Sequence, residues 1–146
     1  ASQKVGQSAA PLFLDRIDIQ CEISALPFKE LSKAAPGEPS AKIRERVIAA
    51  RALQTARFKD VPGVHCNAQM TERMIHQYAE PDEQGLDLMR LAMERLSLSA
   101  RAYSRILKVA RTIADLDASP TVRPEHISEA ITYRQLDRSD WAERGL

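Results

Sequence analysis

The run "LSLSARAYSRILKVARTIADLDAS", Leu96 to Ser119, constrains the fold more than any other part of the chain. At about 100° per residue, Tyr103, Ile106, Val109, Ala110, Ile113, Ala114 and Leu116 gather on one arc of a helix. Arg101, Arg105, Lys108 and Arg111 form a stripe on the other side, at about 0°, 40°, −20° and −80° with Arg101 as origin. Ser99 is a good N-cap, and Leu98 and Tyr103 are spaced for a hydrophobic staple across it. A helix with so wide an apolar arc buries it against other elements, so the chain needs a core built around this segment.

A solvated face is the plain reading of the four cations. Two details weigh against leaving it there. Arg101 and Arg105 near the helix start oppose the macrodipole, which favours anions at that end. No acid lies four residues from a cation within the helix until Asp115, which is placed to pair with Arg111. A bound anion would compensate for cations in such a position, so the start of this helix is a candidate phosphate site.

The remainder of the chain supplies helices to pack against it. Aromatic residues make up only 5% of the sequence, and its apolar content is mostly Ala, Leu and Ile, which favours helices over a sandwich of strands. A helix is expected over Ser40 to Phe58, with Ile43, Val47, Ile48, Ala50 and Leu53 on its apolar face. A short helix capped by Asn67 or Thr71 follows to Tyr78, and another runs from Asp82 to Leu96 with Leu86, Met89, Met93 and Leu96 inward. The last starts at Pro124 and reaches about Leu136. Only "LFLDRIDIQCEI" alternates, with Ile17, Ile19, Cys21 and Ile23 on one side, as in a half-buried strand. The expected organisation is a polar tail over 1–11, disordered or vector-derived, a strand over 12–24 and a Pro-rich linker over 25–39. A four- to five-helix bundle over 40–138 and a polar tail over 139–146 complete it. A lone strand before a helical bundle suggests a piece of a larger protein.

Other chemistry is poorly supported. The net charge of +1 argues neither for nor against a nucleic-acid partner. No apolar run approaches the roughly 18 residues needed to span a bilayer. Cys21 and Cys66 show no CxxC spacing, and with no signal peptide in view a reduced cytoplasmic setting is expected. His65, Cys66 and His76 lack the paired spacing of a metal site, and Cys66 has no evident base to make it a nucleophile. Asp15 with Asp18, and Asp82 with Glu83, suit turns and caps, and His126 suits packing or capping. No GxxxxGK[ST] occurs, so the chain has no Walker loop of its own.

Three blocks carry a more specific signal: "LFLDRIDI", "GEPSAKIRERVIAARALQTARF" followed by "CNAQM", and "LSLSARAYSRILKVARTIADLDASPTVRPEHISEAITYRQLDR". Together, from Leu12 to Arg138, they resemble the C-terminal part of magnesium-chelatase-like AAA+ ATPases of the ComM/YifB competence-protein subgroup. The resemblance implies a last strand of an AAA+ core followed by its helical lid, so that a Walker loop would lie in a preceding domain. It implies ATP and Mg2+ as cofactors of the parent protein, none bound to this piece alone, and a ring, usually a hexamer, of neighbouring subunits. Arg101 in "LSARAY" matches the sensor-2 arginine, which reaches the γ-phosphate within the same subunit, and Arg105 would line the same pocket. Arg16 in "LDRID" matches the arginine finger acting in trans. The family reads GPLLDRID where this chain reads "APLFLDRID", which moves Pro11 one position further from Arg16. Relatives of this kind act as DNA branch-migration motors in natural transformation, or drive metal insertion as true chelatases. DNA would contact the missing core. The isolated piece is expected to be a monomer without ATPase activity and without a membrane partner. A stand-alone helical nucleic-acid-binding or protein-interaction domain is the alternative.

Overall fold

The computed structural model describes residues 16–134. Among them are six α-helices and one 3-10 turn. The helices are α1 (Phe28–Leu31), α2 (Ser40–Phe58), α3 (Glu72–Tyr78), α4 (Glu83–Leu96), α5 (Ala100–Leu116) and α6 (Pro124–Thr132), and the turn is Asn67–Gln69. The fold is thus mainly α, a bundle centred on α5, which packs against α2, the 3-10 turn, α3 and α6, while α4 packs on α6. Ile106, Leu107, Ala110 and Ala114 of α5 meet Phe58, Ile75, Met89, Ile127 and Ala130 in one core. Alanines at 102, 110 and 114 are fully buried, and their small side chains let neighbouring elements approach α5 closely. Phe58 and Tyr78 close one end of the core edge to face, their ring centroids 5.6 Å apart.

The helix starts follow their capping residues. Ser99 accepts from the Ala102 amide at 3.1 Å and Asp82 from the Gly85 amide at 2.8 Å. Thr71, rather than Asn67, accepts from the amide of Met74 at the start of α3. Leu98 and Tyr103 both lie half-buried against the core, as a staple across Ser99 requires. Pro124 opens α6, and the Arg123 amide donates to Nδ1 of His126 at 3.0 Å, so His126 is a buried capping residue.

Gly85 sets how closely α4 approaches its surroundings. A Cβ there would lie 2.7 Å from Cβ of Pro81 and 3.7 Å from Cγ1 of Ile127. Gly85→Ala is therefore expected to destabilise the bundle by about 1–3 kcal/mol through overpacking. A lower urea midpoint at unchanged slope would register it; an unchanged midpoint would show that Pro81 yields freely.

The packing departs from the helical periodicity in two places. On α2 only Ala50, Gln54 and Phe58 are buried, whereas Ile43, Val47, Ile48 and Leu53 are exposed. On α4 the buried face is Gly85, Met89 and Ala92, and Leu86 is exposed. Residues 17–27 form neither helix nor strand, and Ile19, Cys21 and Ile23 are exposed. The described residues include no strand that could form a ladder with the alternating segment. Its backbone is held instead by the residues that follow α6: the Gln20 amide donates to the Tyr133 carbonyl at 2.8 Å, and the Arg134 guanidinium donates to the Ile17 carbonyl at 2.8 Å. No described helix is long and apolar enough to cross a membrane. Leu136, Trp141 and the two expected tails lie outside the described residues.

Candidate functional site

Positions 101, 104, 105 and 108 share one face of α5 at its N-terminal end, by the i, i+3, i+4, i+7 rule. There they line an open cleft of about 570 Å³, whose other walls are Ala68 of the 3-10 turn, Glu72 at the start of α3, and Asp18. Orphan amides and the positive end of the helix dipole lie at this end of α5. The cleft therefore concentrates positive potential, tempered by two carboxylates.

Within it the cations differ sharply in what holds them. Nη1 of Arg105 donates to Oδ1 of Asp18 at 2.6 Å, and Nζ of Lys108 donates to the Ala68 carbonyl at 3.1 Å. Ser104 donates to the carboxylate of Glu72 at 2.8 Å. Arg101 is exposed and has no hydrogen-bond or ion-pair partner among the described residues. Of the four cations it alone has its whole donor fork available.

Arg111 leaves the stripe altogether. Its angle on the helix places it with the stripe of cations, yet it is only 2% exposed. Its guanidinium donates to the Ser119 carbonyl at 2.6 Å, the Pro120 carbonyl at 3.1 Å and Oδ1 of Asp115 at 3.0 Å. The loop that follows α5 folds back over it, and its buried carbonyls need donors. Arg111 supplies them, which makes it a structural arginine.

Behind the cleft lies a buried polar cluster that sequence reasoning missed. Arg57 at the end of α2 grips both carboxylate oxygens of Asp115, at 2.5 and 2.9 Å. Asn67 donates to Asp115 at 2.8 Å and to Thr112 at 3.1 Å, accepts from Arg57 at 2.8 Å, and its amide donates to Gln54 at 2.8 Å. These bonds fix the 3-10 turn against α5 and so fix the Ala68 wall of the cleft. A signal was present, since Arg57 and Asn67 fall within "QTARF" and "CNAQM", two stretches of the second block. Burial by itself would raise the Asp115 pKa. Hydrogen bonds from Arg57 and Asn67, with the charges of Arg111 and Arg57, outweigh it and hold the carboxyl below its usual 3.8. Burial pushes the Arg111 pKa down, and Asp115 opposes that.

The other candidates do not converge. Arg16 is exposed and does not line the cleft, although it precedes Asp18 by only two positions. His76 pairs with Glu80 at 2.9 Å, and both Cys21 and Cys66 are free thiols. No group of three metal-ligating side chains occurs among the described residues. His126 donates through Nε2 to Asp117 at 3.0 Å, since its Nδ1 already accepts from the backbone; this bond, with Arg123, keeps the Asp117 carboxyl below its usual range.

The described residues thus define a helical bundle organised around one amphipathic helix, with Arg101, Arg105 and Lys108 lining a cleft towards that helix's N-terminal end. The family described as "Magnesium chelatase, subunit ChlI C-terminal" matches residues 37–134, and the chain belongs to it. Over 127 residues it is 40% identical to the uncharacterized protein YifB of Escherichia coli, covering 86% of this chain and 24% of that protein. It is 36% identical to the competence protein ComM of Haemophilus influenzae over the same length, with the same coverage. The chain thus corresponds to the C-terminal part of the magnesium-chelatase-like ComM/YifB group and spans about a quarter of the length of these relatives.

Proposed function

We propose that this chain is the sensor-2 lid of an AAA+ ATPase that works as a ring, and that its cleft receives the polyphosphate of ATP held mainly by the preceding core domain. The observation that carries the reading is Arg101: an unpartnered guanidinium at a helix N-terminus, in a cleft with two further cations. A planar fork of donors matches phosphate oxygens bidentately, and its hold weakens when the terminal phosphate leaves. Lid orientation can then report nucleotide state to the rest of the motor. Lys108 would add a second positive charge to the pocket, and Arg105 would join it once free of Asp18.

The cations of the cleft fit a polyphosphate. They do not make a place for Mg2+, because Asp18 and Glu72 are engaged by Arg105 and Ser104. In this reading the metal arrives with the nucleotide and is held by the core. Arg16, exposed and outside the cleft, is available to a neighbouring subunit as an arginine finger in trans. Likeness to ComM favours a DNA branch-migration motor of natural transformation over a metal-inserting chelatase as the parent.

The reading is tested in the full-length parent by ATP turnover with Arg101→Ala; wild-type kinetics would remove the sensor assignment. The rival reading, a nucleic-acid-binding stripe, loses support from the same geometry. Arg111 is buried against the loop after α5, so the stripe shortens to Arg101, Arg105 and Lys108 around one cleft, where a surface that tracks an extended phosphate backbone needs cations along its length.

A further inference from the structure

The anion that Arg105 holds in this structure is the chain's own. Oδ1 of Asp18 lies 2.6 Å from Nη1 of Arg105, and the Asp18 side chain forms part of the cleft wall. We propose that Asp18 is a positioning residue that ties the segment carrying Arg16 to the phosphate cleft, and that a polyphosphate entering the cleft displaces it from Arg105. This rests on the nucleotide reading above and adds to it a link between a subunit's own site and the finger it offers to its neighbour.

Three observations support the link. First, the segment is anchored independently of Asp18. The Ile17 carbonyl accepts from Arg134, which is 1% exposed, and the Gln20 amide donates to the Tyr133 carbonyl. Between these two anchors, which follow the end of α6, the Asp18 side chain bridges to Arg105 of α5. Breaking that bridge changes how residues 16–19 sit without detaching the segment.

Second, the bridge is weak enough to yield. The side chains of Arg105 and Asp18 are 29% and 49% exposed, and pairs so exposed are readily screened and exchanged. Third, the entering ligand has the advantage in charge. A triphosphate meets Arg101 and Lys108 together with Arg105, whereas Asp18 engages one cation. Glu72, the other acid facing the cleft, is held by Ser104 and does not compete for Arg105. Arg16 lies two positions before Asp18 and next to the Ile17 anchor, so loss of the bridge is felt directly where the finger emerges.

The test uses the 146-residue chain and inorganic tripolyphosphate, followed by amide chemical shifts at low ionic strength. Tripolyphosphate is expected to shift the amides of Ala100 to Arg105 and, at the same concentrations, those of Ile17 to Gln20. Asp18→Asn removes the competing carboxylate and is expected to tighten binding by about two- to fivefold, the range an exposed ion pair represents. Asp18→Glu, which keeps the charge, is expected to restore wild-type affinity. Equal affinity of wild type and Asp18→Asn would overturn the inference. So would a cleft that responds while Ile17 to Gln20 do not, or a cleft that tripolyphosphate leaves unperturbed in both forms. The nucleotide reading stands or falls separately, on ATP turnover by the Arg101→Ala parent.

Discussion

Asp115→Ala is expected to cost the domain about 3–5 kcal/mol, because it leaves guanidinium groups buried without their carboxylate. The Asp115 side chain is fully buried, and the side chains of Arg57 and Arg111 are only 14% and 2% exposed. Asn67 loses an acceptor as well, so the 3-10 turn and the end of α2 are released together. A domain of this size loses about 4–8 °C of Tm per kcal/mol, which puts the expected drop at roughly 12–40 °C by circular dichroism. A shift of only a few degrees would mean that water reaches the arginines and replaces the carboxylate. The same cluster sets the acid response. A carboxyl whose folded pKa lies below its unfolded value stabilises the fold fully above the unfolded value, and that stability disappears as pH falls through the folded one. With Asp115 and Asp117 both held below 3.8, the unfolding midpoint is expected to be level from neutral pH to about 5 and to decline below about 4. Asp115→Asn should flatten that decline; an unaltered profile would assign it to other carboxylates.

The parts of the fold that were legible in the sequence are those decided locally. Ser99, Asp82, Thr71 and Pro124 mark helix starts because their side chains or ring satisfy geometry within one turn. The central helix α5 was readable because its apolar arc is wide and unbroken. What escaped depends on partners distant in sequence. Periodicity assigned Ile43, Val47 and Leu53 of α2 an inward face, but it cannot say how far along a helix the partners extend, and here they reach only the later part. Arg111 looked like its neighbours on a helical wheel. Only the return of the loop through Ser119 and Pro120 turns that angle into an interior position. Alternation at Ile17 to Ile23 describes one side of a ladder, and the other side is not among the described elements. In the cleft, helix position and resemblance both pointed to Arg101, while the contacts of Asp18 with Arg105 and of Lys108 with Ala68 join residues too distant in sequence for any local pattern to show.

Arg101→Ala is expected to do the reverse of Asp115→Ala: to lower kcat/KM for ATP in the full-length parent about 10- to 100-fold while leaving the domain as stable as before. The activity loss follows from one or two hydrogen bonds to a charged phosphate, about 1.5–3 kcal/mol in total effect. The unchanged stability follows from the structure, since Arg101 is exposed, touches no described partner, and sits where the helix dipole disfavours a cation. Alanine also has the higher helix propensity, so the urea midpoint should stay level or rise slightly. Arg101→Lys separates charge from shape: it keeps the positive charge but loses the fork, and partial recovery is expected. If Arg101→Ala lowered stability and activity in proportion, the arginine would be supporting the fold and the sensor role would fail. A tenfold loss of turnover at constant stability has a simpler cause. It places the missing contact on the nucleotide, because nothing in the folded domain depends on that guanidinium.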